Sequence, residues 1–239
     1  MKAEQQQAYI LHQRPYRETS LLLDVLTQKY GRLSLVAKGV KRTKRSQAGL
    51  MQLYQPLFIS WSGRGDLLTL IATESAAVRH SLQGSASLCG LYLNELIIRL
   101  LALHDPAEMV YPAYRQALIQ LADIGNNEIV LRLFEKRLLS QLGYRLNLEY
   151  EVESGQAIED ELRYYYIPES GLYRWHSAVN STSILGRSLR QLIEEDDFDH
   201  DGLLEIKQLM RHVLQYYLGE KPLKTRQLFA ELQQYTVTR

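Results

Sequence analysis

The sequence predicts an α+β chain in which a small five-stranded barrel precedes a mostly helical region. Residues 1–80 contain five short apolar runs separated by turn residues, a pattern typical of a small closed sheet. From about residue 85 the apolar residues recur at helical spacing instead. At 239 residues, with 46% hydrophobic and 23% charged residues, the chain is long enough for two folded domains.

The five runs are interpreted as strands because each is apolar and bounded by turn residues. Tyr30-Gly31 marks the turn before the third strand, and Gly63-Arg64-Gly65-Asp66 is a hairpin signal before the fifth. Five strands in so short a segment favour a Greek-key barrel of the OB type. The predicted strands are Ala8–His12, Ser20–Thr27, Arg32–Lys38, Pro56–Trp61 and Leu67–Glu74.

Helical spacing continues through most of the remaining chain, and Gly143 is expected to end the third helix. The helices are predicted at 85–104, Ala107–Leu121, Glu128–Leu142, Ser183–Ile193, Leu203–Leu218 and Thr225–Gln234. Three strand-like segments interrupt them, at Asn147–Val152, Arg163–Pro168 and Gly171–Trp175. We therefore expect a barrel domain at 1–80, a helical domain at 81–146 and 181–239, and an insert at 147–180.

Positive charge is concentrated at the start of the chain. Residues 1–50 hold ten lysines and arginines against three acids, a net charge of +7, whereas the remainder carries −6. Half of these cations lie in one run, Lys38-Gly-Val-Lys-Arg-Thr-Lys-Arg45, after the third strand. A basic loop on a barrel suits a polyanion such as nucleic acid, although a solvated loop is the simpler alternative.

The predicted nucleic-acid contacts are cations of the barrel, because OB folds commonly hold oligonucleotides on their strands and loops. Nearby aromatic residues, Tyr16, Tyr30, Tyr54 and Trp61, could stack on bases or belong to the core. The predicted binding residues are Arg14, Arg17, Arg32, Lys38, Lys41, Arg42, Lys44, Arg45 and Arg64.

Catalytic and metal-binding functions receive little support from the sequence. The single cysteine, Cys89, excludes an internal disulfide and a multi-cysteine zinc site, and no phosphate-binding glycine loop occurs. The acids before Gly202 match half of a calcium loop, but Gln208 stands where a glutamate is needed, so Asp201 is interpreted as a helix cap. We expect no enzyme and no cofactor, while a nuclease or transferase stays open as an alternative.

No secretory signal and no apolar run long enough to span a bilayer is apparent, which favours a cytoplasmic location.

Several short segments resemble the RecO family of bacterial recombination mediators, and they occur in order along nearly the whole chain. These segments are Arg14-Pro-Tyr-Arg-Glu-Thr-Ser20, Gly31-Arg-Leu-Ser-Leu-Val-Ala-Lys-Gly39, Leu53-Tyr-Gln-Pro-Leu57, Gly90-Leu-Tyr-Leu-Asn-Glu-Leu96, Leu142-Gly-Tyr144 and Pro222-Leu-Lys-Thr-Arg226.

The resemblance implies an OB-fold barrel, a helical domain and a small zinc-finger-like insert. It implies a DNA repair and recombination mediator of the RecF pathway, associated with the nucleoid, that binds single- and double-stranded DNA and anneals complementary strands. The implied partners are RecR, the acidic tail of the single-strand binding protein SSB and, indirectly, RecA. Many members carry four cysteines in the insert; this chain has none there, so zinc is not expected.

The third predicted helix is our candidate for binding the SSB tail, which needs an apolar notch beside cations. The candidate residues are Arg132, Leu133, Lys136 and Arg137. A solvated helix face is the alternative for these residues. For the whole chain, the alternative function is an OB-fold RNA-binding module of RNA processing or translation.

Overall fold

A computed structural model describes residues 1–40, 49–123, 126–179 and 181–237, with side chains through residue 232. The first five strands are β1 (Lys2–Tyr16), β2 (Ser20–Thr27), β3 (Gly31–Ala37), β4 (Leu57–Ser62) and β5 (Leu67–Ser75). They form a closed barrel in the order β1-β2-β3-β5-β4, with β4 paired back to β1. All neighbours are antiparallel except β3 and β5. The predicted five-stranded barrel is thus confirmed.

Alternation along the strands places one face of each in the barrel core. In β3, for example, Leu33 and Leu35 are fully buried, while Ser34 between them is only half-buried. Trp61 is also fully buried, and Tyr30 packs edge-on against it with ring centroids 5.2 Å apart. Burying each large apolar side chain contributes roughly 1.5–3 kcal/mol, so this lining is the main source of the barrel's stability.

The first strand is longer than the predicted Ala8–His12 because its two halves pair with different strands. Its beginning pairs with β4, from Lys2 opposite Ser62 to Ala8 opposite Leu57, and its end pairs with β2. The early residues are mostly polar and exposed, so they lack the apolar signal of a strand. Ladder hydrogen bonds to a distant partner strand hold them in place.

Gly31 is the first residue of β3, directly after the turn from β2, and its φ of +62° lies in the left-handed region. A Cβ at this position would overlap the carbonyl oxygen of Asp105. Gly39, after β3, has a similar φ of +72° but open space around it. The first glycine is therefore required by both backbone conformation and close packing, the second by conformation alone.

Six helices are described, and the predicted ones are confirmed with shifted ends. They are α1 (Gly84–Leu100), α2 (Val110–Ala122), α3 (Asn127–Gln141), α4 (Gly186–Glu194), α5 (His200–Leu218) and α6 (Lys224–Val237). Gly143 follows the end of α3 with φ +85°, as expected. Within the described residues, no helix has both the length and the apolar character needed to cross a membrane.

Two predictions about helix starts were wrong. The cap of α5 is Asp199, not Asp201: its Oδ1 accepts a hydrogen bond of 2.7 Å from the backbone N–H of Gly202, so the helix begins at His200. The helix predicted from Ser183 begins only at Gly186. The two preceding residues instead form β8 (Ile184–Leu185), where pairing with a neighbouring strand replaces the first helical turn.

The insert region contains a three-stranded sheet of β6 (Arg163–Ile167), β7 (Gly171–Arg174) and β8, in the order β7-β6-β8. Tyr164 and Tyr166 of β6 are buried, and the Tyr164 hydroxyl accepts a hydrogen bond of 3.0 Å from the backbone N–H of Glu159. The strand predicted at Asn147–Val152 is present only as isolated bridges. Packed tyrosines, rather than cysteines, stabilise this sheet.

The chain divides into two compact units: unit 1 comprises Met1–Gly125 with Leu223–Arg239, and unit 2 comprises Asn126–Pro222. Unit 1 therefore combines the barrel with α1, α2 and the final helix. Glu95 of α1 accepts hydrogen bonds from the backbone N–H groups of Lys224 and Thr225 at 2.8 and 2.9 Å, and one from the Thr225 hydroxyl at 2.6 Å. A carboxylate of α1 thus caps α6. The division into a barrel domain, a helical domain and an insert at 147–180, expected from the sequence, stays a prediction.

Candidate nucleic-acid interface

A groove of about 620 Å³ lies where the β1–β2 turn, the end of β3 and the start of β5 meet. It is lined by Tyr16–Ser20, by Val36, Lys38 and Gly39, and by Leu67–Thr69. The turn is tight because Arg17 adopts φ +52° between the two strands. The parallel pairing of β3 with β5 brings the distant Leu67–Thr69 segment to this position. The groove therefore depends on barrel closure rather than on any local motif.

Four of the predicted cations are exposed: two line the groove, and two lie in the chain segments that lead into it. Arg17 and Lys38 line the groove, Arg14 is exposed on β1, and Arg64 is exposed in the turn that leads into β5. Within the part of the chain that the structure describes, none of these four forms an ion pair. Glu18 also lines the groove and partly offsets its positive charge. Unpaired cations remain available to neutralise phosphates.

Arg32 is placed differently, because it is not among the residues that line the groove. Its Nε donates a hydrogen bond of 2.8 Å to the carbonyl oxygen of Leu101, and its guanidinium lies 3.7 Å from Asp24. Burial lowers the pKa of Arg32 below its ordinary value, and the charge of Asp24 partly opposes this shift. The side chain is only 15% exposed and ties β3 to the end of α1.

The remaining predicted cations, Lys41, Arg42, Lys44 and Arg45, lie outside the described residues. The chain enters this run at Val40 and leaves it before Met51, both of which are buried in the barrel core.

Among the four aromatic candidates, only Tyr16 lines the groove. The Arg17 guanidinium lies 5.2 Å from the centre of its ring. Trp61 and Tyr54 are buried, and the Tyr54 hydroxyl donates a hydrogen bond of 2.9 Å to the carbonyl oxygen of Ser87. Burial raises the pKa of Tyr54 to about 12. These two rings belong to the core, so base stacking at the groove depends on Tyr16.

The second predicted site lies in unit 2, on α3. Arg132 and Leu133 are both buried, at 3% and 8% exposure. The Arg132 guanidinium donates to Glu135 Oε1 at 2.9 Å, but its Nε and Nη1 have no hydrogen-bond partner among the described residues. An incompletely paired buried guanidinium is costly, so this arginine has unused capacity to bind an anion.

Lys136 and Arg137 are brought together by Glu195, which follows α4. Lys136 Nζ donates to the carbonyl oxygens of Leu192 and Ile193 at 2.7 and 3.1 Å and lies 3.2 Å from Glu195, while Arg137 contacts the same carboxylate at 2.6 Å. Burial acts to raise the pKa of Glu195, but these two cations lower it overall. Both cations already have an acidic partner.

No group of three or more histidine, cysteine, aspartate or glutamate side chains within the described ranges could hold a metal ion. Sequence reasoning missed the part of the groove supplied by Thr19 and by Leu67–Thr69. The only available signal was topological, since the first and last loops of an OB barrel commonly meet at its binding face.

Comparison with known proteins gives a consistent result over the whole chain. The family model described as recombination protein O N terminal matches residues 1–79, and that described as recombination protein O C terminal matches residues 82–227. A protein of Nitrosospira multiformis is 42% identical over 98% of this chain and 97% of its own length. One of Nitrosococcus oceani is 43% identical over 97% and 95%.

A third relative, from Methylococcus capsulatus, is 40% identical over 93% of this chain and 91% of its own length. All three relatives carry the name DNA repair protein RecO. Both family models and the near full-length relatives point to the same family. The chain therefore belongs to the RecO family.

Proposed function

We propose that this protein is a DNA repair and recombination mediator that acts by binding. It binds single- and double-stranded DNA, anneals complementary strands and, with RecR, helps to load RecA onto single strands coated with SSB. Family membership supports the general role, since the relatives are named as DNA repair proteins. The groove at the end of the barrel is the observation that carries the DNA-binding part.

The groove combines the features that a strand of DNA requires. Arg17 and Lys38 offer charge to phosphates, and Tyr16 offers a ring for stacking. Arg14 and Arg64 do not line the groove, but both are exposed and add positive charge to the barrel surface. Such contacts do not read base edges, so binding is expected to show little sequence preference. Holding a strand by its phosphates also lowers its repulsion from a complementary strand, which favours annealing.

The test is fluorescence anisotropy of a labelled oligothymidine with the full-length protein. Arg17→Ala combined with Lys38→Ala is expected to weaken binding, because both cations line the groove. Arg145→Ala with Arg211→Ala is the matched control, since both of these arginines are exposed in unit 2. Equal losses in the two pairs would reject the groove. An RNA oligomer that competes better than the DNA would favour the RNA-binding alternative instead.

The α3 residues are proposed to receive the acidic tail of SSB. In this proposal the tail replaces Glu195 as the partner of Lys136 and Arg137, and Arg132 binds a further tail carboxylate after a local rearrangement. Leu133 is buried, so the apolar end of the tail requires that rearrangement as well. The proposal depends on competition between two carboxylates for the same cations.

The competition between Glu195 and the SSB tail can be tested by measuring the affinity of a peptide with the sequence of that tail. Glu195→Gln is expected to increase the affinity for the peptide, because it removes the internal competitor, whereas Arg137→Ala is expected to decrease it. Arg211→Ala, an exposed arginine of α5, is the control. If Glu195→Gln leaves the affinity unchanged while Arg132→Ala also has no effect, the tail does not bind at α3.

A further inference from the structure

One face of the small sheet in unit 2 has no role in the contacts described so far. Tyr164 and Tyr166 of β6 and Leu172 of β7 are buried and form the inner face. The alternate residues of these strands point the other way. We call this surface the outer face; it includes Tyr165, Ile167 and Tyr173.

The segment before the sheet extends the outer face. Glu151 forms a parallel bridge with Leu172, and the backbone N–H of Val152 donates a hydrogen bond of 2.8 Å to the Leu172 carbonyl oxygen. Glu151 is buried, so its neighbours Tyr150 and Val152 lie on the opposite side, where they are 51% and 42% exposed. The Val152 side chain lies close to Gly171 of β7. Tyr150 and Val152 therefore belong to the outer face.

Aromatic and aliphatic side chains line the outer face, where Tyr165 and Tyr173 are half-buried. Tyr165 and Tyr173 are cross-strand neighbours whose rings stack with centroids 5.5 Å apart and a tilt of 25°. Ile167, opposite Gly171, is 42% exposed. Exposed apolar side chains grouped on one face, with tyrosines among them, are typical of interaction sites.

The charge around the outer face identifies the kind of partner. Residues 147–179 contain seven acids and two arginines, a net charge of −5. Both arginines are already paired: Arg163 contacts Glu205 at 2.7 Å, and Arg174 lies within 4 Å of two carboxylates. The exposed acids Glu153, Glu161 and Glu169 form no ion pair within the described residues. The segment that carries the outer face therefore has uncompensated negative charge, which repels phosphates and attracts cations.

We propose that the outer face binds a lysine- and arginine-rich segment of another protein. The ammonium and guanidinium groups of the bound segment are stabilised by the faces of Tyr165 and Tyr173 and by the uncompensated acids. The aliphatic stems of the same side chains cover Ile167 and Val152. The interaction goes beyond the proposed function, because it needs neither the barrel groove nor nucleic acid.

The test uses the full-length protein and a fluorescein-labelled peptide of alternating lysine and leucine. Glu153→Gln with Glu169→Gln is expected to weaken binding about tenfold, and high salt is expected to do the same. Tyr165→Ser with Tyr173→Ser tests the aromatic part. The matched control is Glu108→Gln with Glu220→Gln, two exposed acids elsewhere on the chain. A peptide of alternating glutamate and leucine is expected not to bind.

Three outcomes would overturn the proposal. Unchanged peptide binding in the Glu153/Glu169 variant excludes the face even if the tyrosine variant fails to fold. A loss of oligonucleotide affinity in that variant, measured in parallel, assigns the face to nucleic acid. A loss of self-association, seen by analytical ultracentrifugation, assigns it to a second copy of the chain. Failure at the barrel groove leaves these results unaffected, so the two proposals are tested separately.

Discussion

The salt dependence of DNA binding should separate cations that contact phosphates from cations that hold the fold. If about five cations neutralise phosphates on a single strand, log K should fall with log salt at a slope of about −3.5, or about 0.7 for each contact. Replacing Arg17 and Lys38 by alanine should therefore flatten the slope by about 1.4. Stability should change little, because both side chains are exposed.

Arg32→Met should behave in the opposite way. This substitution removes the hydrogen bond to the Leu101 carbonyl oxygen and the proximity to Asp24, and a hydrogen bond involving a charged group is worth about 1.5–3 kcal/mol. We expect a loss of that order in the free energy of unfolding, measured by urea titration, and an unchanged salt slope of DNA binding.

The contribution of the basic run is tested in the same way. Replacing Lys41, Arg42, Lys44 and Arg45 by alanine should also flatten the salt slope of DNA binding.

Anisotropy titrations of labelled oligothymidine at several salt concentrations measure each slope directly. A slope that flattens for Arg32→Met but not for the Arg17/Lys38 pair would refute the assignment of cations to the groove. An unchanged slope in both the groove variant and the basic-run variant would remove DNA binding from the barrel altogether.

Three further predictions concern stability. Gly31→Ala should cost about 3 kcal/mol in urea unfolding, because φ +62° and an overlap with a backbone carbonyl act together. Glu95→Ala removes three hydrogen bonds at the start of α6, so limited proteolysis should cleave the C-terminal segment faster. Glu195→Gln should destabilise the protein at neutral pH: the folded pKa of this carboxyl lies below its ordinary 4.5, so its contribution is present above pH 4.5 and is lost as the pH falls through the folded pKa.

Each of these predictions has a control or a contradicting outcome. Gly39→Ala shares the backbone strain but meets no neighbour, so it should cost only about 1–2 kcal/mol; equal losses would show that the contact at Gly31 is unimportant. Unaltered proteolysis of the Glu95 variant would mean that other contacts hold α6. A stability difference for Glu195→Gln that persists in strong acid would contradict the ion-pair explanation.

The barrel could be predicted because its signals are local. Alternation in β3, the turn at Gly31 and the glycine hairpin before β5 each depend on a few neighbouring residues. The polar first half of β1 gave no such signal, since its hydrogen bonds come from β4, more than fifty residues away. At α5, two acids two residues apart could each cap the helix, and only the approach of the Gly202 amide decided for Asp199.

The candidate sites were less predictable than the fold, because a cation's role depends on its partners. Arg32 and Lys38 look alike in the sequence, yet one is engaged by a distant carbonyl group and the other is exposed at the groove. Lys136 and Arg137 share a carboxylate 59 and 58 residues further along the chain. Such pairings arise only when the chain has folded. The sequence could therefore identify candidate cations, but it could not distinguish those paired within the protein from those free to bind a ligand.

Leu223–Arg239 belongs to the same unit as the barrel, and this limits how far that unit can fold during translation. The ribosome releases residues in order, so the barrel strands emerge early, but the helix that Glu95 caps emerges only after all of unit 2. Until then the Glu95 carboxylate lacks that partner. Nascent chains arrested before residue 223 should accordingly be more sensitive to protease near α1 than the released product.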